Sequence, residues 1–399
     1  MFQRSALSFI FVTLIFVFYP IVAWAAGESG SAASKWRVLS EEESMNIQLE
    51  KITAKEAKSK PDQNALGFGR HFTDHMLVME YTEGCGWHDL AIQPYRNFSL
   101  DPAAMVFHYG QAIFEGMKAY RGKGGGIYLF RPAANIERMN RSAARLCMPQ
   151  LPVDEVLVAL KELLRLDQDW IPTAQGATLY IRPTMIATEA ALGVRPAKQY
   201  LFFVILSPVG AYYPEGFNPV RIYVTDKYVR AVPGGVGHVK TAGNYAASIM
   251  AAVEAQQAGF TQVLWLDAVE RRYIEEVGTM NIFFVIGDEI ITPPLGGSIL
   301  PGITRDSVIQ VVKSWGLTVV ERRISIDEVL AAQENGSLKE IFGTGTAAVI
   351  SPVGSLHYKG RDCVINNGKT GVLSQRLFDE IQAIQYGAKE DPYGWVVGL

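Results

Sequence analysis

The sequence predicts a mixed α/β and α+β chain of two domains, with a ligand site in the cleft between them. Three observations predict it. A chain of 399 residues that is 49% hydrophobic and 19% charged can fill more than one core. Strand-like alternation and helical spacing of apolar residues interleave through both halves. Between Ser207 and Pro219 lie three prolines and two glycines, a composition that helix and strand both cross with difficulty. The boundary is therefore set at 209–219, with a smaller α+β domain at 45–208 and a larger one at 220–399.

The first 44 residues stand apart from both. Arg4 precedes an apolar run from Ala6 to Trp24, broken by Ser8, Thr13 and Pro20, and Ala23-Trp24-Ala25 offers the small residues that signal peptidases prefer. The run suits a secretory signal, and its length also approaches the roughly 20 apolar residues of a membrane anchor. A third reading makes 1–44 an extension upstream of a physiological start at Met45, since 27–44 is linker-like throughout. On that reading the protein is cytoplasmic, and it meets a membrane only if the apolar segment is retained.

Within the first domain, Leu77–Tyr81 and Leu90–Ile92 alternate as strands do. Ile113–Tyr120 and Ile127–Phe130 flank a glycine-rich turn at Gly122–Gly126. Asn135–Leu146 and Val153–Leu164 carry apolar residues at helical spacing, and Thr178–Ile186 and Leu201–Leu206 return to strand composition. The second domain reads as strand Arg221–Thr225, helix Tyr245–Gln257, strands Gln262–Leu266 and Asn281–Ile286, helix Arg305–Trp315, strand Thr318–Arg323 and a last helix from Ser374.

Charge and cysteine usage exclude several classes of function. A net charge of −3, without a basic block interleaved with aromatics, gives no footprint for nucleic acid. Cys85, Cys147 and Cys363 are too scattered for a disulfide framework or a metal site and are expected as ordinary buried thiols. The six histidines show no ligand spacing, so no metal is expected. A small molecule is the expected partner.

The most unusual stretch is Pro233-Gly234-Gly235-Val236-Gly237-His238-Val239-Lys240-Thr241-Ala242-Gly243-Asn244-Tyr245. A phosphate-cradling loop of the Walker type needs glycine immediately before the Lys-Thr pair, and Val239 occupies that place. Most loop lysines are solvated, but one that forms Schiff bases must lose its proton well below its free pKa of about 10.4. No acid lies within this loop to hold Lys240 as an ammonium.

Downstream, Glu275 and Glu276 precede an apolar strand, and on an extended backbone they face opposite ways. One can be solvated while the other enters a site, where a buried carboxylate would keep a pyridine nitrogen protonated; spacing does not say which. Leu300–Arg305 leads into a helix whose free N–H groups favour anions, and Phe342–Ala347 forms a second glycine-rich loop. Arg138, Arg141 and Arg145 recur on one helix face, and Tyr180 and Arg182 share a strand face.

Taken in order from about Met45 onward, these segments resemble the branched-chain aminotransferases of the fold-type IV pyridoxal-phosphate enzymes. The resemblance rests on FTDHM (72–76), HYGQAIFEGMKAYR (108–121), FRPAANIERMNRSAARLCMP (130–149), LYIRP (179–183), GHVKTAGNY, EEVGTMNIFF, LPGITR and FGTGTAAVISPV. It implies a two-domain fold with the active site at the domain interface, the larger domain binding pyridoxal 5′-phosphate. It implies that Lys240 carries the cofactor as a Schiff base and shuttles the catalytic proton. Tyr245 would bond the ring hydroxyl oxygen and Glu276 would partner the pyridine nitrogen. Arg138, Ile303, Thr304 and Thr346 match phosphate-binding positions, and Thr279 joins the cofactor set.

The same resemblance assigns Phe72, Tyr109, Phe114 and Tyr180 to the substrate pocket, an aromatic wall suited to leucine, isoleucine or valine. Arg182 would take the distal carboxylate of glutamate, while the Thr346 and Ala347 amides hold the α-carboxylate. Implied partners are small amino and 2-oxo acids and a second copy of the chain. The rival reading is a D-amino-acid transaminase or an aminodeoxychorismate-lyase-like enzyme of the same fold. Some members of the family carry a redox CxxC pair after the last loop; Ala348 and Ser351 stand in its place here, which removes thiol regulation at that point.

Overall fold

The computed structural model describes residues 47–210, 212 and 216–399. The readings that concern 1–44 and the start at Met45 fall outside these, as do 211 and 213–215 of the connector. No helix among the described residues is long and apolar enough to cross a membrane.

Two nine-stranded sheets organise the described residues. The first runs in the order Gln48–Leu49, Gly86–Pro94, His75–Thr82, Gln199–Val209, Thr178–Ala187, Met117–Arg121, Ile127–Phe130 and Val396–Gly398, with Ala112–Phe114 also paired to Thr178–Ala187. The second is ordered Ile274–Val277, Gln262–Leu266, Val220–Thr225, Val349–Tyr358, Leu338–Gly345, Asn281–Ile286, Glu289–Thr292 and Val319–Glu321, with Arg361–Val364 beside Val349–Tyr358. The architecture is the mixed α/β and α+β one that the sequence predicts. The C-terminal strand crosses back to the first sheet, where Val396 pairs with Phe130 in antiparallel fashion.

Helices Pro132–Arg145 and Val153–Leu166 cover the first sheet. Proline opens the first of them, and Asp154 and Glu155 sit in the first turn of the second, where acidic side chains suit the helix dipole. Their apolar faces place Ile136, Met139, Leu160 and Leu163 against Leu179 and Phe202 in one core. Leu163 is fully buried there, so its truncation to alanine costs about 2–5 kcal/mol. A second core lies under Val220–Thr225 and its neighbours. A third forms where helices Ile303–Ser314 and Val372–Gln385 meet the stacked Phe283 and Phe342, whose ring centroids are 5.2 Å apart.

Several elements differ from expectation. The strand expected over Ile113–Tyr120 breaks at Glu115 and Gly116, because Glu115 turns inward to an arginine and a Cβ on Gly116 would lie 2.0 Å from the Tyr180 hydroxyl. Ser207–Val209, expected as connector, belong to strand Gln199–Val209. Pro208 is tolerated because the ladder with His75–Thr82 has ended by Val204, leaving a flank with no strand to serve. Cys85 and Cys147 are exposed, correcting their expected burial; only Cys363 is buried. Cys85 occupies a hairpin turn between positive-φ glycines, and Cys147 is itself left-handed just past a helix end, so neither backbone position leads inward.

Candidate active site

The two sheets meet around Lys240. Ile113 of the first bridges Thr241, and the Phe114 N–H donates to the Lys240 carbonyl at 3.1 Å. The Lys240 N–H donates in turn to Ser142 Oγ at 3.0 Å. The loop before the lysine is glycine-rich of necessity: a Cβ on Gly237 would sit 2.2 Å from the Ser298 carbonyl oxygen. Backbone clamps on both sides thus aim the Lys240 side chain into a cavity of about 350 Å³.

There Lys240 Nζ donates to the Tyr245 hydroxyl at 2.8 Å and lies 4.8 Å from the Phe114 ring centroid. Tyr245 sits one turn into helix Ala242–Gln257, so the helix start fixes its distance from the lysine. Phe114 stands edge-on to Tyr245 with ring centroids 4.7 Å apart.

Strand Ile274–Val277 sends its two carboxylates to different surroundings. Glu275 is half-buried and accepts from Ser298 Oγ, away from the cavity. Glu276 is 2% exposed and lines the cavity. Asn281 Nδ2 donates to Glu276 Oε1 at 3.1 Å and is itself anchored on the Leu300 carbonyl. Arg230 Nε lies 2.6 Å from Glu276 Oε2, yet off the direction of a hydrogen bond, so this buried oxygen has a charge beside it and no directed donor. Burial pushes the Glu276 carboxyl up to about 7 against the pull of Arg230.

Arg138, which also lines the cavity, makes a buried bidentate pair with Glu115, Nε to Oε1 at 2.7 Å and Nη2 to Oε2 at 2.8 Å. Its Nη1 reaches the Pro301 carbonyl at 3.2 Å. Pro301 precedes helix Ile303–Ser314, whose first residues Ile303 and Thr304 line the cavity. A guanidinium and free helix amides therefore converge at one end of it.

Arg182 lies between Phe114 and Tyr180, its guanidinium carbon 4.9 and 5.2 Å from their ring centroids. Arg182 Nη2 donates to the Tyr180 hydroxyl at 3.1 Å, and its Nε is buried without a partner. Thr279, Thr346 and Ala347 complete the lining expected from the sequence. Thr344 Oγ1, also buried on this wall, has no hydrogen-bond partner.

Two expected residues are elsewhere. Phe72 stacks on Tyr95, because the neighbouring Thr73 and Asp74 are drawn inward to Leu206 and Trp170 and turn it away. Tyr109 ends the short helix Met105–Tyr109 at the surface and donates to the Leu192 carbonyl. The aromatic wall is supplied instead by Phe68, edge-on to both Tyr180 and Tyr212 at 5.0 Å. Sequence reasoning missed Phe68, Tyr212, Glu115, Arg230 and Asn281. The detectable signal was Arg138: an arginine in the apolar stripe of its helix needs a buried acid, and Glu115 lies in a conspicuous motif.

Residues 112–356 match the family described as Amino-transferase class IV. The chain belongs to the class IV aminotransferases. It is 54% identical over 354 residues to branched-chain-amino-acid transaminase 1 of Bacillus subtilis, covering 88% of this chain and 99% of that protein. It is 57% identical to branched-chain-amino-acid aminotransferase 2 of the same organism, covering 85% and 93%. Among solved structures, the branched-chain aminotransferase of Escherichia coli superposes with a TM-score of 0.68 at 27% identity, covering 80% of this chain and 98% of that one. Another similar branched-chain aminotransferase, with a TM-score of 0.66 at 28% identity, was solved with pyridoxamine 5′-phosphate.

The cofactor of this aminotransferase is pyridoxal 5′-phosphate, and the cavity fits it. The undirected Glu276 Oε2 suits the N–H of a protonated pyridine. Arg138 and the Ile303–Thr304 helix terminus suit a phosphate, and Lys240 with Tyr245 lines the same cavity.

Proposed function

We propose that this enzyme catalyses reversible transamination of L-leucine, L-isoleucine and L-valine with 2-oxoglutarate, giving the branched-chain 2-oxo acids and L-glutamate. The observation that carries the substrate class is the aromatic wall formed by Phe68, Phe114, Tyr180 and Tyr212, in which one guanidinium, that of Arg182, is the charged group. Aliphatic side chains are desolvated by such a wall, while Arg182, held by two rings and one hydroxyl, keeps donors for the distal carboxylate of glutamate. The names of the Bacillus subtilis relatives support the same reading.

When bound, pyridoxal 5′-phosphate supplies an electron sink for charge developing at the substrate α-carbon. In this reading Lys240 would hold the cofactor, and its Nζ would move the proton at the substrate α-carbon. The Tyr245 hydroxyl orients that amine, and Glu276, fixed by Asn281 and Arg230, keeps the pyridine nitrogen protonated. Arg138, Ile303, Thr304 and Thr346 bind the phosphate end, Thr279 adds to the cofactor set, and the Thr346 and Ala347 amides hold the substrate α-carboxylate.

A homodimer in the cytoplasm is the expected working form. Phe107 on helix Met105–Tyr109, Leu192 and Val194 in the loop before strand Gln199–Val209, and Ile249 and Met250 on helix Ala242–Gln257 leave apolar surface exposed, as a subunit interface would require. Light scattering checks the dimer. For the activity, the purified protein is expected to be yellow, borohydride to fix the cofactor on the peptide containing Lys240, and Lys240→Ala to abolish transamination. Turnover of leucine, isoleucine, valine and D-alanine with 2-oxoglutarate decides the substrate. A colourless protein without a reducible imine, or a preference for D-alanine, overturns the proposal.

A further inference from the structure

Behind the substrate loop lies a buried lysine that the chemistry above does not use. Lys118, in strand Met117–Arg121, is 7% exposed, and its Nζ donates to the Ala347 carbonyl at 2.6 Å. It lines a second cavity of about 200 Å³ and not the first; Ala347 and Ala348 line both. The peptide from Ala347 to Ala348 is thus a partition, with the lysine on one side and the active site on the other.

A trans peptide is planar, and its C=O and N–H point in opposite directions. With the Ala347 carbonyl drawn to Lys118, the Ala348 N–H is turned toward the active-site side. Among the described residues, no group accepts from the amides of Thr346, Ala347 or Ala348. The loop is also held against its intrinsic preference, since the next residue, Val349, is β-branched yet has φ of 62°. A peptide in such a setting needs an anchor to keep one orientation.

We propose that Lys118 is a positioning residue for the substrate α-carboxylate: by gripping the Ala347 carbonyl from behind, it fixes the 347–348 peptide so that the Ala348 N–H donates into the active site beside those of Thr346 and Ala347. The inference rests on the transaminase reading, in which this loop receives the carboxylate. The lysine's charge reinforces the effect, because an ammonium polarises the peptide it bonds and makes the opposite N–H a better donor. Burial alone brings the Lys118 amine down to about 8, the mark of a cation kept where desolvation opposes it.

The test uses holoenzyme and 4-methylvaleric acid, an unreactive carboxylate with the leucine skeleton but no amine. Its dissociation constant is read from the change in cofactor absorbance. Lys118→Met removes donor and charge at similar length and is expected to raise that constant, and KM for leucine, by about ten-fold, the scale of one charge-assisted hydrogen bond. Cofactor content and kcat should change by less than about three-fold. Lys118→Arg, which restores a charged donor, is expected to return both constants to near the native value. If Lys118→Met is insoluble, Lys118→Leu, which likewise lacks a donor, takes its place under the same criterion. Native affinity in the neutral variant, or equal loss in Lys118→Arg, overturns the proposal. Failure of the native holoenzyme to bind 4-methylvaleric acid instead overturns the transaminase reading beneath it.

Discussion

Replacing Glu276 by glutamine exposes how the site is tuned. The carboxyl is 2% exposed and raised from 4.5 to about 7, chiefly by desolvation. Because the folded-state value is raised, cofactor-free protein binds more protons folded than unfolded between those two pH values. The stability this carboxyl contributes is complete below about 4.5 and is lost as pH rises through 7. A shift of this size corresponds to at most about 3 kcal/mol, or a fall of several degrees in melting temperature between pH 5 and pH 8. Glu276→Gln is nearly isosteric and does not titrate, so its stability should vary less over that range. Its absolute stability also changes, because Arg230 is left buried without its acid, which makes the pH slope the informative quantity. The assay is thermal unfolding of both cofactor-free proteins from pH 5 to pH 8, repeated with pyridoxal 5′-phosphate added. The native slope should diminish once a protonated pyridine pairs with the carboxylate. Equal slopes for native and Glu276→Gln protein in the absence of cofactor would refute this account.

Two further substitutions separate cofactor from substrate effects. Arg138→Leu strands the fully buried Glu115 and should cost about 3–5 kcal/mol in urea unfolding, with cofactor affinity lost as well. Adding Glu115→Leu should recover most of the stability but none of the affinity, and a double variant no more stable than the single one would count against a desolvated pair. Gly116→Ala places a Cβ 2.0 Å from the Tyr180 hydroxyl and should displace that ring. KM for leucine is then expected to rise on the order of ten-fold with cofactor binding unchanged, and an unaltered KM would show that Tyr180 does not face the substrate.

Lys240 and Glu276 were legible because each sits in a local pattern with a chemical rationale: glycines around one lysine, and two adjacent carboxylates on a strand. Spacing alone left Glu275 and Glu276 open and the resemblance chose Glu276; the fold adds the reason, since Glu275 finds Ser298 while Glu276 lines the cavity. Arg230, Glu115 and Lys118 act through partners distant in sequence, and no local period announces such pairs; Asn281 lies five residues from Glu276, but on the far side of a turn. Phe68 and Phe72 were confused for a related reason. The segment between Leu49 and His75 contains neither helix nor strand, so nothing in it fixes which aromatic points inward. Strands Leu338–Gly345 and Val349–Tyr358 were hidden by Gly343, Gly345 and Pro352, residues that normally mark loops. Gly343 is needed there because Met280 and Val277 approach the backbone too closely for a side chain.

That irregular segment has a consequence of its own. It is tied down by polar contacts remote from the chemistry: Ile52 N–H on His75, Lys58 on Asp74 and Thr73, and Gln63 on the backbone of Thr173 and Ala174. Yet it delivers Phe68 to the cavity wall. One member of the aromatic wall, Phe68, is therefore mounted on a surface strap, while Phe114, Tyr180 and the groups that handle protons and phosphate are mounted on sheets, helix starts and their loops. Changes of length or sequence in the strap can reshape which amino acid is admitted without disturbing how it reacts, which makes residues 50–73 the natural place to alter selectivity.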